Sequence, residues 1–158
     1  MANRLTYILQ KAGVTACFFL LSFSSLAFDK IWTFDPDLYK AYQLVLNLQT
    51  DQAYTELSKI NSKKNEFHKL YVLSLCETVD VLITEDAKKF EKIDNNFKER
   101  LRYIQSLTPS AETLFLEAEL NLQRGFNLIN LNQELSAVFA IKAAYNATQE
   151  CLKKYPGF

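Results

Sequence analysis

Turn-forming residues are nearly missing from this chain. Its 158 residues include three glycines, three prolines, three cysteines, one histidine and one tryptophan. All-β folds need turn residues every few positions, so the shortage excludes a sandwich or barrel. With so little glycine there is no glycine-rich loop to cradle a phosphate. A single histidine, His68, leaves no histidine cluster for a metal and no paired base for a nucleophile. Three cysteines make no disulfide framework. Eighteen basic residues balance eighteen acidic ones, without the concentrated basic face that nucleic-acid binders carry. The reading is therefore no catalytic residue, no metal ligand, no cofactor site and no nucleic-acid partner: not an enzyme.

The N-terminus addresses a compartment. Arg4 and Lys11 are the only charges before Asp29, and Ala12 to Leu26 is mostly apolar around Cys17, Phe18, Phe19, Leu20 and Leu21. Ser25, Leu26 and Ala27 supply small residues where an export peptidase cuts, so residues 1–27 have the outline of a secretory signal peptide. The run is shorter than the roughly 20 apolar residues of a membrane span. A retained anchor is the competing reading, and it would be the chain's one contact with a membrane. Cleavage leaves residues 28–158 as a single domain with 16 basic and 18 acidic residues, a net charge of −2. The expected location is the periplasm or the outer membrane.

Beyond residue 35 the punctuation marks helix ends. Asp35-Pro36 opens a helix through about Leu48, with Leu38, Tyr42 and Val45 as its inner stripe. Thr50-Asp51 caps a second helix to about Ile60. A third, from about Glu66 to Ile83, is apolar nearly all round at Leu70 to Cys76, which places it centrally. Thr84, Glu85 and Asp86 cap a fourth, whose Phe90, Ile93, Phe97, Leu101 and Ile104 make one narrow stripe. Its remaining faces, including Lys89, Lys98 and Arg100, read as solvated. Thr108-Pro109 starts a fifth helix. Asn130 with Gln133 has the form of a capping box for a sixth, ending at Lys153-Lys154.

One spacing occurs twice. Leu44, Ala53, Leu57 and Ile60 are matched 84 positions later by Leu128, Ala137, Ile141 and Ala144. Each set joins the end of one helix to the next across a small residue, the pattern of an antiparallel pair in close approach. Such pairs bury their apolar faces only by stacking. Gly125, Leu128, Ala137, Ile141 and Ala144 resemble the tetratricopeptide repeat. Ala41, Leu44, Ala53, Leu57 and Ile60 match it less well, and the middle pair is too long for a regular unit of about 34 residues. The stretch from Ala118 through Tyr145 to Phe158 is similar to exported tetratricopeptide-type proteins of Bacteroidota, which usually continue with more helices. The expected fold is all-α: about six helices as antiparallel pairs stacked in a tetratricopeptide-like array.

By the spacing of that family, Leu38, Tyr42, Val45, Leu122, Phe126 and Ile129 fall at groove-facing positions. The resemblance implies a protein-binding scaffold of the bacterial envelope, its partner unspecified. The alternative is the N-terminal part of an extracytoplasmic sensing or small-ligand-binding protein. The last helix adds a second expectation. Leu135, Val138, Phe139, Ile141, Tyr145 and Leu152 spread over most of its circumference, where a terminal helix needs a polar outer face. One neighbouring pair cannot cover them, so the last helix is expected to be an exposed apolar face that drives self-association.

Overall fold

The computed structural model describes residues 36–60 and 65–158, and those residues are all-helical, with no strand among them. Six helices follow in order: α1 Pro36–Leu46, α2 Thr50–Lys59, α3 Glu66–Thr84, α4 Ala87–Ser106, α5 Ala111–Asn130 and α6 Glu134–Lys154. The described residues other than Gly157 form one compact unit. The export reading of residues 1–27 and the Asp35 cap lie outside the described residues. None of the described helices is long and apolar enough to cross a membrane.

Short connections force neighbours to run antiparallel, and side-chain contacts fix the pairing. Lys40 of α1 meets Glu56 of α2 at 3.1 Å. Tyr103 near the end of α4 donates to Glu66 at the start of α3. Tyr155, just past α6, donates to the Pro109 carbonyl, just before α5. Helix α3 packs against α1, α2, α4 and α5, as its all-round apolar composition requires. Each later pair enters through its first helix: α3 lies on α1 and α2, and α5 lies on α3 and α4. Helix α6 touches only α5 among these helices.

The turn of the 84-residue repeat recurs bond by bond, although Leu57 is buried and its counterpart Ile141 is 37% exposed. After α1, Leu48 N–H donates to Val45 and Gln49 N–H to Leu44. After α5, Asn132 N–H donates to Ile129 and Gln133 N–H to Leu128. The next helix then starts with Ala53 N–H on Gln49 and with Ala137 N–H on Gln133, both at 3.0 Å. Leu48 and Asn132 occupy the same left-handed position, at φ 61° and 57°. Asparagine tolerates that conformation and leucine does not, which costs about 1 kcal/mol. Leu48→Asn is therefore expected to raise stability by about 0.5–1 kcal/mol, measured by denaturant unfolding. Leu48 is exposed, so little packing is lost.

Two caps differ from expectation. Gln49 and Gln133, not Thr50 and Asn130, precede α2 and α6, and neither makes a side-chain cap. The repeated turn places its own backbone bonds there, and Asn130 remains helical as the last residue of α5. The Asp86 cap holds, whereas α5 starts at Ala111, after Ser110 rather than at Thr108-Pro109. Asp86 accepts from the N–H groups of Lys88 and Lys89, and Ser110 forms a reciprocal capping box with Thr113.

Two clusters form the core. Leu38, Ala41, Val45, Ala53, Leu57, Val72 and Cys76 bind α1 and α2 to α3. Phe90, Ile93, Phe97, Ile104, Leu116, Leu120 and Leu128, with Ala137 and Ala140, join α4, α5 and α6 to Val81 of α3. Tyr71 packs against both. The charged faces of α3 and α4 are not simply solvated. Arg100 makes a two-pronged pair with Glu77, whose carboxylate also accepts from Asn96 at 2.9 Å. Lys89 meets Asp80, and Arg124 of α5 meets Asp94 of α4. Burial pushes the Asp94 carboxyl up, but Arg124 and Lys98 outweigh it and hold it below the ordinary carboxylate value.

Candidate apolar binding face

The most unusual surface lies at the α5–α6 end. Every buried residue of α6 is small: Ala137, Ala140, Ala144, Ala147 and Cys151. They recur at steps of three and four and form one stripe against α5. Close approach is enforced on the other side by Gly125, where a Cβ would stand 2.9 Å from Ile141 Cγ1. Because alanines suffice to fill the contact, the large apolar side chains of α6 point elsewhere. Leu135, Val138, Phe139, Tyr145 and Leu152 are 54–73% exposed, and Ile141 is 37% exposed. On α2 and α4 the solvent face is polar apart from Tyr103 and Ala87.

A groove runs between α5 and α6. On the α5 side, Phe115, Ala118, Leu122, Phe126 and Ile129 recur at helical spacing on one face. Two adjoining hollows open along it. One, of about 200 Å³, is lined by Ala118, Glu119, Leu122, Ile141, Ala144, Tyr145 and Thr148. The other, of about 220 Å³, shares Ala118, Glu119 and Thr148 with the first and reaches Phe115, Cys151, Leu152 and Phe158. The rings at one end of this groove continue a series through the array. Tyr42 of α1 lies 6.4 Å from Tyr71 of α3, Tyr71 lies 6.1 Å from Phe115 of α5, and Phe115 lies 5.9 Å from Phe158. The first two pairs are tilted and the last is edge-on, all at ordinary aromatic separation.

The structure separates the six groove positions named from the sequence. Leu38 and Val45 are fully buried in the first core cluster, so they line no open surface as placed here. Tyr42 is half-buried against Tyr71. Leu122 lines a hollow, and Phe126 and Ile129 are each 48% exposed. The α5 trio shares a face; the α1 trio lies in another part of the fold, since α1 and α5 do not touch. Val45 is buried because α3 covers α1, which the pattern of α1 by itself does not record. The α6 half of the groove was missing from that list, although the apolar spread on α6 was its signal. Glu119 was also missed. A carboxylate two residues from Glu117 reads as ordinary helix surface until α6 is laid beside it.

Glu119 is the one charged group lining both hollows. Burial holds its carboxyl above the ordinary carboxylate value, with the Gln123 amide working the other way. No ion pair among the described residues engages it. With the folded value above the unfolded one, the fold favours the protonated acid. Its contribution is most favourable below the unfolded value and is lost as pH rises through the folded value. Glu119→Gln should therefore stabilise by a few tenths to about 1 kcal/mol at neutral pH, the size being limited by solvent screening. The difference should vanish in acid, and thermal unfolding at both pH values checks it.

The other candidate groups are dispersed. Cys76 and Cys151 are free and buried, on helices that do not touch, each donating to a carbonyl at 3.6 Å, Thr50 and Ala111 respectively. Burial pushes the Cys76 thiol up to about 12, so it is not a thiolate at neutral pH. His68 is half-buried in the first turn of α3. Among the described residues no three His, Cys, Asp or Glu side chains gather as a metal site would require. Comparison with known proteins gives no match to a family model, to a curated protein or to a solved structure.

Proposed function

We propose that this chain is a non-enzymatic helical-repeat scaffold of the bacterial cell envelope, exported by its N-terminal segment, which binds protein through the α5–α6 face. The observation that carries the reading is the contrast between that face and the rest of the array. The α1–α2 and α3–α4 pairs each receive a helix and expose a few large apolar side chains, Tyr39, Leu46, Leu82, Ile83 and Tyr103, whereas the α5–α6 pair exposes eight. Exposed apolar patches of this kind mark interaction sites. The tetratricopeptide-like stacking is supported by the 84-residue repeat of one turn and by entry of each pair through its first helix. The sensing or ligand-binding reading has less behind it. The hollows of about 200 and 220 Å³ are open and fall below the roughly 300–1,000 Å³ of small-molecule sites.

A photo-crosslinking amino acid placed at Tyr145 or Leu122 in living cells tests the reading. Both positions should capture a polypeptide in the envelope fraction, and the exposed Tyr39 on α1 should not. The isolated protein should begin at Phe28. Absence of any adduct at Tyr145 and Leu122, or intact Met1 on cytoplasmic protein, overturns it.

A further inference from the structure

The α5–α6 face has a shape that can match itself. One side of α6 is a lip of the groove, formed by Ile141, Tyr145 and Leu152, with Val138 one turn earlier on the same helical face. Turned farther out, in the first two turns of the same helix, Leu135 and Phe139 make a ridge, 73% and 64% exposed. A helix docked in the groove in the manner of α3 or α5 would cover the lip and leave this ridge in water. An apolar ridge beside an apolar groove is what an isologous contact requires, because each copy then supplies both halves.

We infer that the occupant of this face is a second copy of the chain, related by a two-fold axis, with the two α6 helices antiparallel and the two α5 helices outside them. The inference rests on the reading of the α5–α6 face as a protein-binding surface and names its partner. Charge favours it. Glu134 stands in the first turn of α6 and Lys153 in the last, both exposed, so antiparallel pairing brings Glu134 of each copy towards Lys153 of the other. The helix dipoles then oppose as well. After cleavage the net charge is only −2, with 16 basic against 18 acidic residues, so repulsion between copies is weak. Nine large apolar side chains of α5, α6 and the C-terminal Phe158 stand 37–73% exposed, a patch of the kind that interfaces between copies cover.

Sedimentation of the protein purified from cells, as it is processed there, tests the inference over a concentration series. The expected result is a monomer–dimer equilibrium that stops at two copies. Tyr145→Lys and Phe139→Lys should each weaken the dimer at least tenfold with the circular dichroism unchanged, since both side chains are exposed in the single copy. Tyr39→Lys should leave it intact. Glu134→Lys should weaken the dimer, and Glu134→Lys with Lys153→Glu should restore it. A monomer at every concentration, open-ended aggregation, equal loss with Tyr39→Lys, or failure of the charge swap to restore pairing overturns it. Capture of another polypeptide at Tyr145 by a monomeric protein would sink the dimer and keep the scaffold. Capture of the chain by itself alone would keep the dimer and remove a foreign partner.

Discussion

Arg100→Met is expected to destabilise the fold by about 3–5 kcal/mol, because it strands a buried carboxylate. Glu77 lies in the middle of α3, 6% exposed, and both of its oxygens are engaged by Arg100 of α4, with Asn96 as a third donor. The Arg100 side chain is itself only 12% exposed. Taking both ions out of water costs several kcal/mol each, and their attraction offsets that only while they face each other. Methionine keeps the length of the side chain and removes the fork. Asn96 alone then solvates a full negative charge. Replacing both members, Glu77→Leu with Arg100→Met, removes the stranded charge and should recover most of the loss. Denaturant unfolding of the two single variants and the double variant gives the coupling directly. A single variant within about 0.5 kcal/mol of the parent would mean that water reaches Glu77.

Ala137→Leu comes next, at about 1–3 kcal/mol. Ala137 is 1% exposed and sits in the larger core cluster at the start of the α5–α6 contact. The four buried alanines of α6 hold its axis close to α5, so three added carbons have nowhere to go without moving the helix. The same substitution at Ala53, its counterpart 84 residues earlier, should behave alike, because that side chain is also fully buried against a repeated turn. The check is the thermal midpoint, where 1 kcal/mol corresponds to a shift of several degrees in a domain of this size. An unchanged midpoint at Ala137 would remove the close approach on which the groove depends. Gly125 gives a milder control, since the atom its Cβ would meet belongs to the half-exposed Ile141 side chain.

Helix content and most boundaries were legible because they are local. The Phe90, Ile93, Phe97, Leu101 and Ile104 stripe is the buried face of α4, and Asp86 and the Pro109 break mark its flanks as their chemistry requires. The 84-residue spacing was legible because two copies of one turn impose the same small residue at the same offset. The apolar excess on α6 could also be read, since Leu135, Phe139 and Tyr145 cannot all face one neighbour.

Three things were decided only by the tertiary structure. The capping residues of α2 and α6 changed because a backbone turn supplied the bonds that Thr50 and Asn130 were expected to make. Arg100 left the solvated face of α4 because Glu77, 23 residues away, was waiting on α3. The candidate face moved from α1 to α5 and α6 because α3 covers Val45, while α6 touches only α5 and so leaves Ile129 and Tyr145 open. A single helix records which of its faces is apolar. Whether that face becomes core or surface depends on which later helix lies over it, and that is a property of the stacking order rather than of the helix.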